Sequence, residues 1–197
     1  MKWFYEILYS RFRAPWDIGP RRELVEVVES GRIQPCKAID LGCGTASNAI
    51  FLAQHGFDVT GTDYSPAAIA LCQKRGAQAG VSVNWIEDDL THLRRVSGTF
   101  DFLVDWGVYD DLTMNDRRAY LRNVLPLTHS QSRFLIYVHQ WPPRWWEKPF
   151  SVFGMRPMAP GEVQADFGPY FDIETLAQRR FSGFIGGEAV YLMTRKG

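Results

Sequence analysis

The stretch that most constrains this chain is Lys37-Ala38-Ile39-Asp40-Leu41-Gly42-Cys43-Gly44-Thr45-Ala46-Ser47. An apolar run ends at an acidic residue, a Gly-x-Gly turn follows, and a helix-forming segment comes next. A buried strand therefore hands over to a helix through backbone with few side chains in the way. A turn of that kind belongs to a nucleotide-type cleft in an open α/β sheet.

The flanking segments extend the same rhythm. Leu24, Val27 and Val28 sit at helical spacing between Arg21 and Ser30, with Gly31 as the stop. After the first strand, residues 47–55 predict a helix stopped by Gly56, and residues 57–62 a second strand. Ser65-Pro66 is a cap followed by proline at the first helical position, opening a helix to about Arg75 before Gly76. Val81, Val83 and Trp85 alternate with polar residues, as in a third strand near a sheet edge. Residues 100–105 predict a buried central strand, 116–125 a helix and 133–138 a fifth strand. Residues 171–176 and 189–194 predict two more. Alternating strands and helices imply a doubly wound, mainly parallel sheet, whose ligands bind outside the carboxyl ends of the strands.

At 197 residues the chain suits one domain, 1–197. Within it, residues 1–20 form a candidate N-terminal lid. Trp3, Phe4, Ile7 and Leu8 share one helical face, which serves equally for packing on the domain. Residues 140–168, rich in proline and glycine, are expected to be irregular and to form a substrate-side insertion. Its cluster from Trp141 to Trp146 either walls an aromatic substrate or plugs the domain edge.

Lys and Arg total 22, as do Asp and Glu, so there is no net charge to attract nucleic acid. No apolar run approaches the ~18 residues of a membrane span. Cys36, Cys43 and Cys72 form no CxxC pair, which fits a reducing compartment and a cytoplasmic location. His55, His92, His129 and His139 are scattered without ligand spacing, so no metal is assigned. Oligomeric state is not legible.

Four strands finish on carboxylates: Asp40, Asp63, Asp88 with Asp89, and Asp105. Gathered on one rim they would repel a dinucleotide's pyrophosphate and attract a ligand carrying a sulfonium and an ammonium. S-adenosylmethionine fits. Gly42, Cys43 and Gly44 would let backbone approach it, Asp40 would lie near its aminoacyl end, Asp63 and Tyr64 near its ribose, and Asp88 or Asp89 with Leu90 near its adenine. Asp105 and Trp106 would complete the rim. Candidates for a base or substrate-orienting group are Tyr109, Asp110, Asp111 and His139, because they follow strands four and five.

The segments 39–45, 59–66, 87–90 and 100–107 resemble the successive motifs of class I S-adenosylmethionine-dependent methyltransferases. Within that superfamily the chain is similar to the small-molecule thiol, thiopurine, tellurite-resistance and quinone methyltransferase group. The resemblance implies a seven-stranded Rossmann-like sheet with its last strand antiparallel, and places Trp16 against the cofactor. It also implies methyl transfer to a small-molecule nucleophile such as a thiol, phenol or quinol. The chain departs from the pattern in two places. Ala46 stands where many relatives have a third glycine, and Val108-Tyr109-Asp110-Asp111-Leu112 stands where they often carry a histidine. The alternatives are a protein that binds S-adenosylmethionine without transferring methyl, and a nicotinamide-dependent oxidoreductase.

Overall fold

Amphipathic helices and short apolar strands alternate along the chain, and both faces of the resulting sheet are covered because each strand presents side chains to both sides. The computed structural model describes residues 17–141, 158–180 and 186–197, together with Glu6 and Tyr9. Helix α1 (Arg22–Glu29) precedes β1 (Lys37–Leu41), α2 (Ser47–Gln54), β2 (Asp58–Asp63), α3 (Pro66–Ala79) and β3 (Asn84–Glu87). Then come β4 (Phe102–Trp106), α4 (Met114–Val124), β5 (Arg133–His139), α5 (Glu162–Phe167), β6 (Phe171–Arg180) and β7 (Gly187–Arg195). The sheet order is β3-β2-β1-β4-β5-β7-β6. Strands β1 to β5 pair in parallel and β7 runs antiparallel to both neighbours, as expected.

Two apolar clusters lie on opposite faces. On one, Ile39, Leu41, Leu103, Phe134 and Ile136 pack against Tyr120 and Val124 of α4 and Val163 and Phe167 of α5. On the other, Ala38, Val104 and Leu135 meet Leu24 and Val27 of α1 and Ala49 and Leu52 of α2. The order reverses between β1 and β4, and the crevice for a ligand in such a sheet opens there.

Three expectations need correction. Helix α3 does not stop at Gly76 but continues to Ala79, where Gly80 at φ +68° ends it. Gly76 is buried inside the helix because the Trp85 ring packs on it, 3.3 Å from where a Cβ would stand. Strand β3 begins only at Asn84, so Val81 to Val83 connect rather than pair. The segment before Gly168 is not wholly irregular: α5 forms there and is anchored by the buried Val163 and Phe167. Residues 142–157, with Arg144, Trp145 and Trp146, lie outside the described residues, as do Trp16 and residues 1–15 apart from Glu6 and Tyr9. Among the described residues no helix is long and apolar enough to cross a membrane.

Candidate active site

The glycine turn is built by its own hydrogen bonds. The Gly42 and Cys43 N–H groups both donate to the Thr62 carbonyl, at 2.8 and 2.9 Å, and the Gly44 N–H donates to Asp63 Oδ2 at 3.0 Å. Gly42 has φ +73°, and a Cβ there would overlap Val108 Cγ2. Gly42→Ala is therefore expected to cost ~1–2 kcal/mol for the left-handed backbone and a further ~1–3 kcal/mol for the overlap. In urea unfolding, Val108→Ala in the same chain should recover the second part and leave the first. Ala46 also lies in the left-handed region, at φ +69°, directly before α2. A small side chain is thus accommodated at the third glycine position, but at a backbone cost of ~1–2 kcal/mol that the sequence reading did not foresee.

Asp40 is 2% exposed and, by strand alternation, points to the α1 and α2 face. The Ala49 N–H donates to its carboxylate, while Oδ2 has no partner among the described residues. Burial pushes its pKa up to about 7, Asp105 and Asp63 add to this, and Ala49 and Arg21 oppose it. Asp63 accepts from Gly44 N–H and, at 3.0 Å, from Ser65 N–H, and burial raises it to about 6. Tyr64 beside it is half-buried, with its phenol pushed up chiefly by burial and by Asp63. The neighbourhood extends to the N-terminus. The Glu6 carboxylate accepts from Ser65 Oγ and, at 3.3 Å, from Ala67 N–H, and the Tyr9 hydroxyl lies 2.8 Å from where a Cβ on Gly44 would stand.

Of the acidic pair after β3, Asp88 is turned into its own loop. It accepts backbone N–H groups from Asp89, Arg94, Arg95 and Val96 at 2.6 to 3.0 Å, and these donors together overcome burial and hold its pKa below the usual carboxylate range. Asp89 accepts from the Thr91 N–H and hydroxyl, and Leu90 is buried against α4, whose Asn123 donates to the Leu90 carbonyl. The two acids should separate experimentally. Asp88→Ala strands four donors and is expected to lower stability by at least ~2 kcal/mol in chemical denaturation. Asp89→Ala, which removes the acceptor of the Thr91 donors, should cost about 1 kcal/mol while weakening cofactor affinity in a binding titration.

Asp105, the fourth expected rim carboxylate, is taken up by donors of the chain itself. The register pairs it with Leu41, so it faces the opposite side of the sheet from Asp40. It is fully buried, accepting from the Tyr120 hydroxyl at 2.6 Å and Val108 N–H at 2.9 Å. Burial raises its pKa to about 7. Trp106, one residue on, returns to the Asp40 face, where its ring stacks on Tyr137 at 4.9 Å and the Arg21 guanidinium lies 5.6 Å from its centroid.

Beyond β4 the candidates divide. The buried Tyr109 hydroxyl donates to Asp166 Oδ2 of α5 at 2.8 Å, so its phenol is directed into the packing rather than the crevice. Asp111 is half-buried in the same loop and adds negative charge near His139 and Tyr64. Asp110 and His139 come together. Asp110 Oδ2 accepts from His139 Nδ1 at 2.7 Å and from the His139 N–H at 2.9 Å, while Oδ1 has no partner among the described residues. Burial lowers the imidazole pKa, but the hydrogen bond and charge of Asp110, with Asp111 and Glu188, outweigh it and raise the net value above 6.5. The His139 side chain is 35% exposed. With Nδ1–H donating to the carboxylate, Nε2 carries the lone pair. His139 shares its sheet face with Tyr137, whose cross-strand partner is Trp106, and the dyad thus adjoins the crevice on the β4–β5 side.

Residues 38–130 match the model of a methyltransferase domain family. Over 186 residues the chain is 24% identical to the 2-heptyl-1-hydroxyquinolin-4(1H)-one methyltransferase of Mycobacteroides abscessus, covering 90% of this chain and 78% of that one. For the chain, these matches support a class I S-adenosylmethionine-dependent methyltransferase. Its fold also matches the N-methyltransferase NodS of Bradyrhizobium japonicum WM9, solved with S-adenosyl-L-homocysteine, at 17% identity and TM-score 0.79 over 100% of this chain and 99% of that one. The protein solved for the conversion of a disulfide bond into a thioacetal group in echinomycin biosynthesis aligns with a TM-score of 0.78 at 21% identity, over 100% and 93% of the two chains.

The similarity to methyltransferases favours S-adenosylmethionine over a nicotinamide as the cofactor, and the residues present fit it. Asp40 Oδ2 is a buried acceptor without a partner among the described residues, a site that a cationic ammonium or sulfonium would complete. Sequence reasoning missed two supporting side chains. Arg75 forms a two-pronged ion pair with Asp17 at 2.6 and 2.8 Å and donates to the Thr45 carbonyl, tying the chain next to Trp16 onto the glycine turn. Arg117 does comparable work at the Asp110 loop. Neither has a sequence signal, because each arginine sits on a helix whose pattern reads only as packing.

Proposed function

We propose that this methyltransferase acts on the acidic hydroxyl of a planar aromatic small molecule, with His139 as proton acceptor and Asp110 orienting it. The observation that carries this reading is the Asp110–His139 pair at the end of β5, on the sheet face that also holds Asp40 and Trp106. Asp40, Gly42, Cys43, Gly44, Asp63, Tyr64, Asp89 and Leu90 would hold the cofactor over β1 to β3. Bound there, S-adenosylmethionine supplies an electrophilic methyl carbon on a sulfonium. The chain's own part is to hold the acceptor oxygen in line, which is worth ~7–11 kcal/mol in favourable cases, and to take its proton at His139 Nε2.

The half-buried Trp106 ring, stacked on Tyr137 beside the dyad, is the aromatic surface that an aromatic acceptor would meet there. The printed activity of the M. abscessus relative, on a 1-hydroxyquinolone, has the same chemistry: a flat heterocycle bearing an ionisable hydroxyl. A phenol of pKa ~10 benefits from a base at neutral pH more than a thiol of pKa ~8.5 does. A panel of 1-hydroxyquinolones, phenols, quinols, thiols and amines with labelled cofactor tests the reading. Aromatic hydroxyl compounds should give the highest kcat/KM, whereas transfer to aliphatic thiols or amines alone would sink it.

A further inference from the structure

Asp110 is 1% exposed, and one of its carboxylate oxygens has no partner among the described residues. A buried carboxylate in that state would gain hydration by swinging its loop outward, so something must hold it against His139. The loop's internal turns, Asp111 N–H to Val108 carbonyl at 3.1 Å and Leu112 N–H to Tyr109 carbonyl at 3.3 Å, are two ordinary bonds and leave the Asp110 carbonyl unpaired. Arg117, on the first turns of α4 and 5% exposed, supplies the rest. Its Nε donates to the Tyr109 carbonyl at 3.2 Å, one terminal nitrogen to the Asp110 carbonyl at 3.2 Å, and the other to Glu162 at 3.0 Å. The guanidinium also lies 5.4 Å from the Tyr109 ring centroid.

Helix α5 grips the same loop from its far side. Glu162 takes the Arg117 ion pair and Asp166 takes the Tyr109 hydroxyl, so the two residues flanking the Tyr109-Asp110 peptide are fixed from α4 and α5 together. The Met158 N–H donates to the His139 carbonyl at 2.8 Å, which brings the segment leading into α5 back to the other half of the dyad.

We propose that Arg117, braced by Glu162, is a positioning residue that holds Asp110 in hydrogen-bond reach of His139 and so tunes the imidazole that accepts the proton. The inference rests on His139 being the proton acceptor. The planar fork matters, because a lysine would keep the charge but cannot bridge two carbonyls and a carboxylate in fixed directions. The charged and titratable groups facing His139 are Asp110 and Asp111 from the β4–α4 loop, Glu188 from β7 and Tyr137 from its own strand. Arg117 is not among them, so its influence on the imidazole runs through the position of Asp110.

The test is an NMR titration of the His139 imidazole in the full-length chain, read without cofactor or acceptor, for the wild type, Asp110→Asn, Arg117→Gln, Arg117→Lys and Glu162→Gln. Wild type should titrate above 6.5, and Asp110→Asn should fall by roughly one pH unit. Arg117→Gln and Arg117→Lys should fall in the same direction, and Glu162→Gln by less. In turnover, kcat should drop with KM for the acceptor little changed. A folded Arg117→Lys or Arg117→Gln chain with the wild-type His139 titration would overturn the positioning role. Should Arg117→Gln not fold, Arg117→Lys and Glu162→Gln, which keep a cation at the site, decide the matter by the same readout. If Asp110→Asn also leaves the titration unmoved, the dyad itself is refuted, a result distinct from failure of Arg117 alone.

Discussion

His139→Gln is expected to lower kcat for a phenolic or N-hydroxy acceptor by about 10²–10⁴-fold, the usual worth of a positioned general base. The glutamine can still fill the space near Asp110 but has no nitrogen lone pair to receive a proton. Against an alkyl thiol, which ionises unaided near pH ~8.5, the same variant should lose far less. The contrast between acceptor classes is the informative readout, because a change that merely disturbed the end of β5 would depress both. Asp110→Asn should act through the imidazole. Burial alone pulls His139 down and only the acidic neighbours raise it, so removing Asp110 should let the acid limb of the kcat profile slide to lower pH. The linkage sign also follows. A histidine raised above its unfolded value stabilises the fold fully below about 6.5, and that contribution is lost as pH rises through the folded value.

Cofactor affinity is expected to climb by more than tenfold between pH 5.5 and 8, because binding a cation should expel protons from the β1 and β2 strand ends. Asp40 and Asp63 have folded pKa values of about 7 and about 6, and both are buried within reach of each other's charge. At pH 5.5 they are largely protonated and give a sulfonium or ammonium no counter-charge. Each ionised carboxylate restores one, and each unit of pH below a linked pKa costs up to 1.36 kcal/mol. Without cofactor the sign is opposite. Carboxylates raised above their unfolded values, Asp105 included, bind more protons folded than unfolded, so their contribution to stability is full below about pH 4 and is lost as pH rises through about 6 to 7. The melting temperature of the cofactor-free chain should therefore decline from pH 5 to pH 8, and cofactor should flatten the decline. Calorimetric titration at pH 6.5 in two buffers of different ionisation enthalpy measures the protons released; zero release would remove Asp40 and Asp63 from the account.

The alternation of apolar runs and helix periods was enough to read all seven strands and their order of appearance, because a parallel sheet covered on both faces writes itself as short apolar segments with acidic or glycine ends. Gly76 misled as a helix stop because glycine marks both a C-cap and a place where a large ring packs closely; only the tertiary position of Trp85 distinguishes them. Consecutive strand residues face opposite sides, so Asp40 and Asp105, on neighbouring strands, sit on opposite faces of the sheet, and the register that decides this is not visible in one strand's sequence. Asp88 and Asp89 are indistinguishable by type, and only the four N–H groups of the following loop reveal which one builds the chain. His139 stands 29 positions from Asp110, and no local pattern announces the pairing.

The most direct test of the account is single-turnover methyl transfer to a 1-hydroxyquinolone at saturating S-adenosylmethionine, followed from pH 5.5 to 8.5 in the wild type and His139→Gln. Saturation removes the proton linkage of cofactor binding and leaves the acceptor's proton as the titrating quantity. The wild-type rate should rise along an acid limb with an apparent pKa above 6.5, and the variant should be slow with that limb gone. A variant as fast as the wild type across the range would contradict the claim that His139 takes the proton.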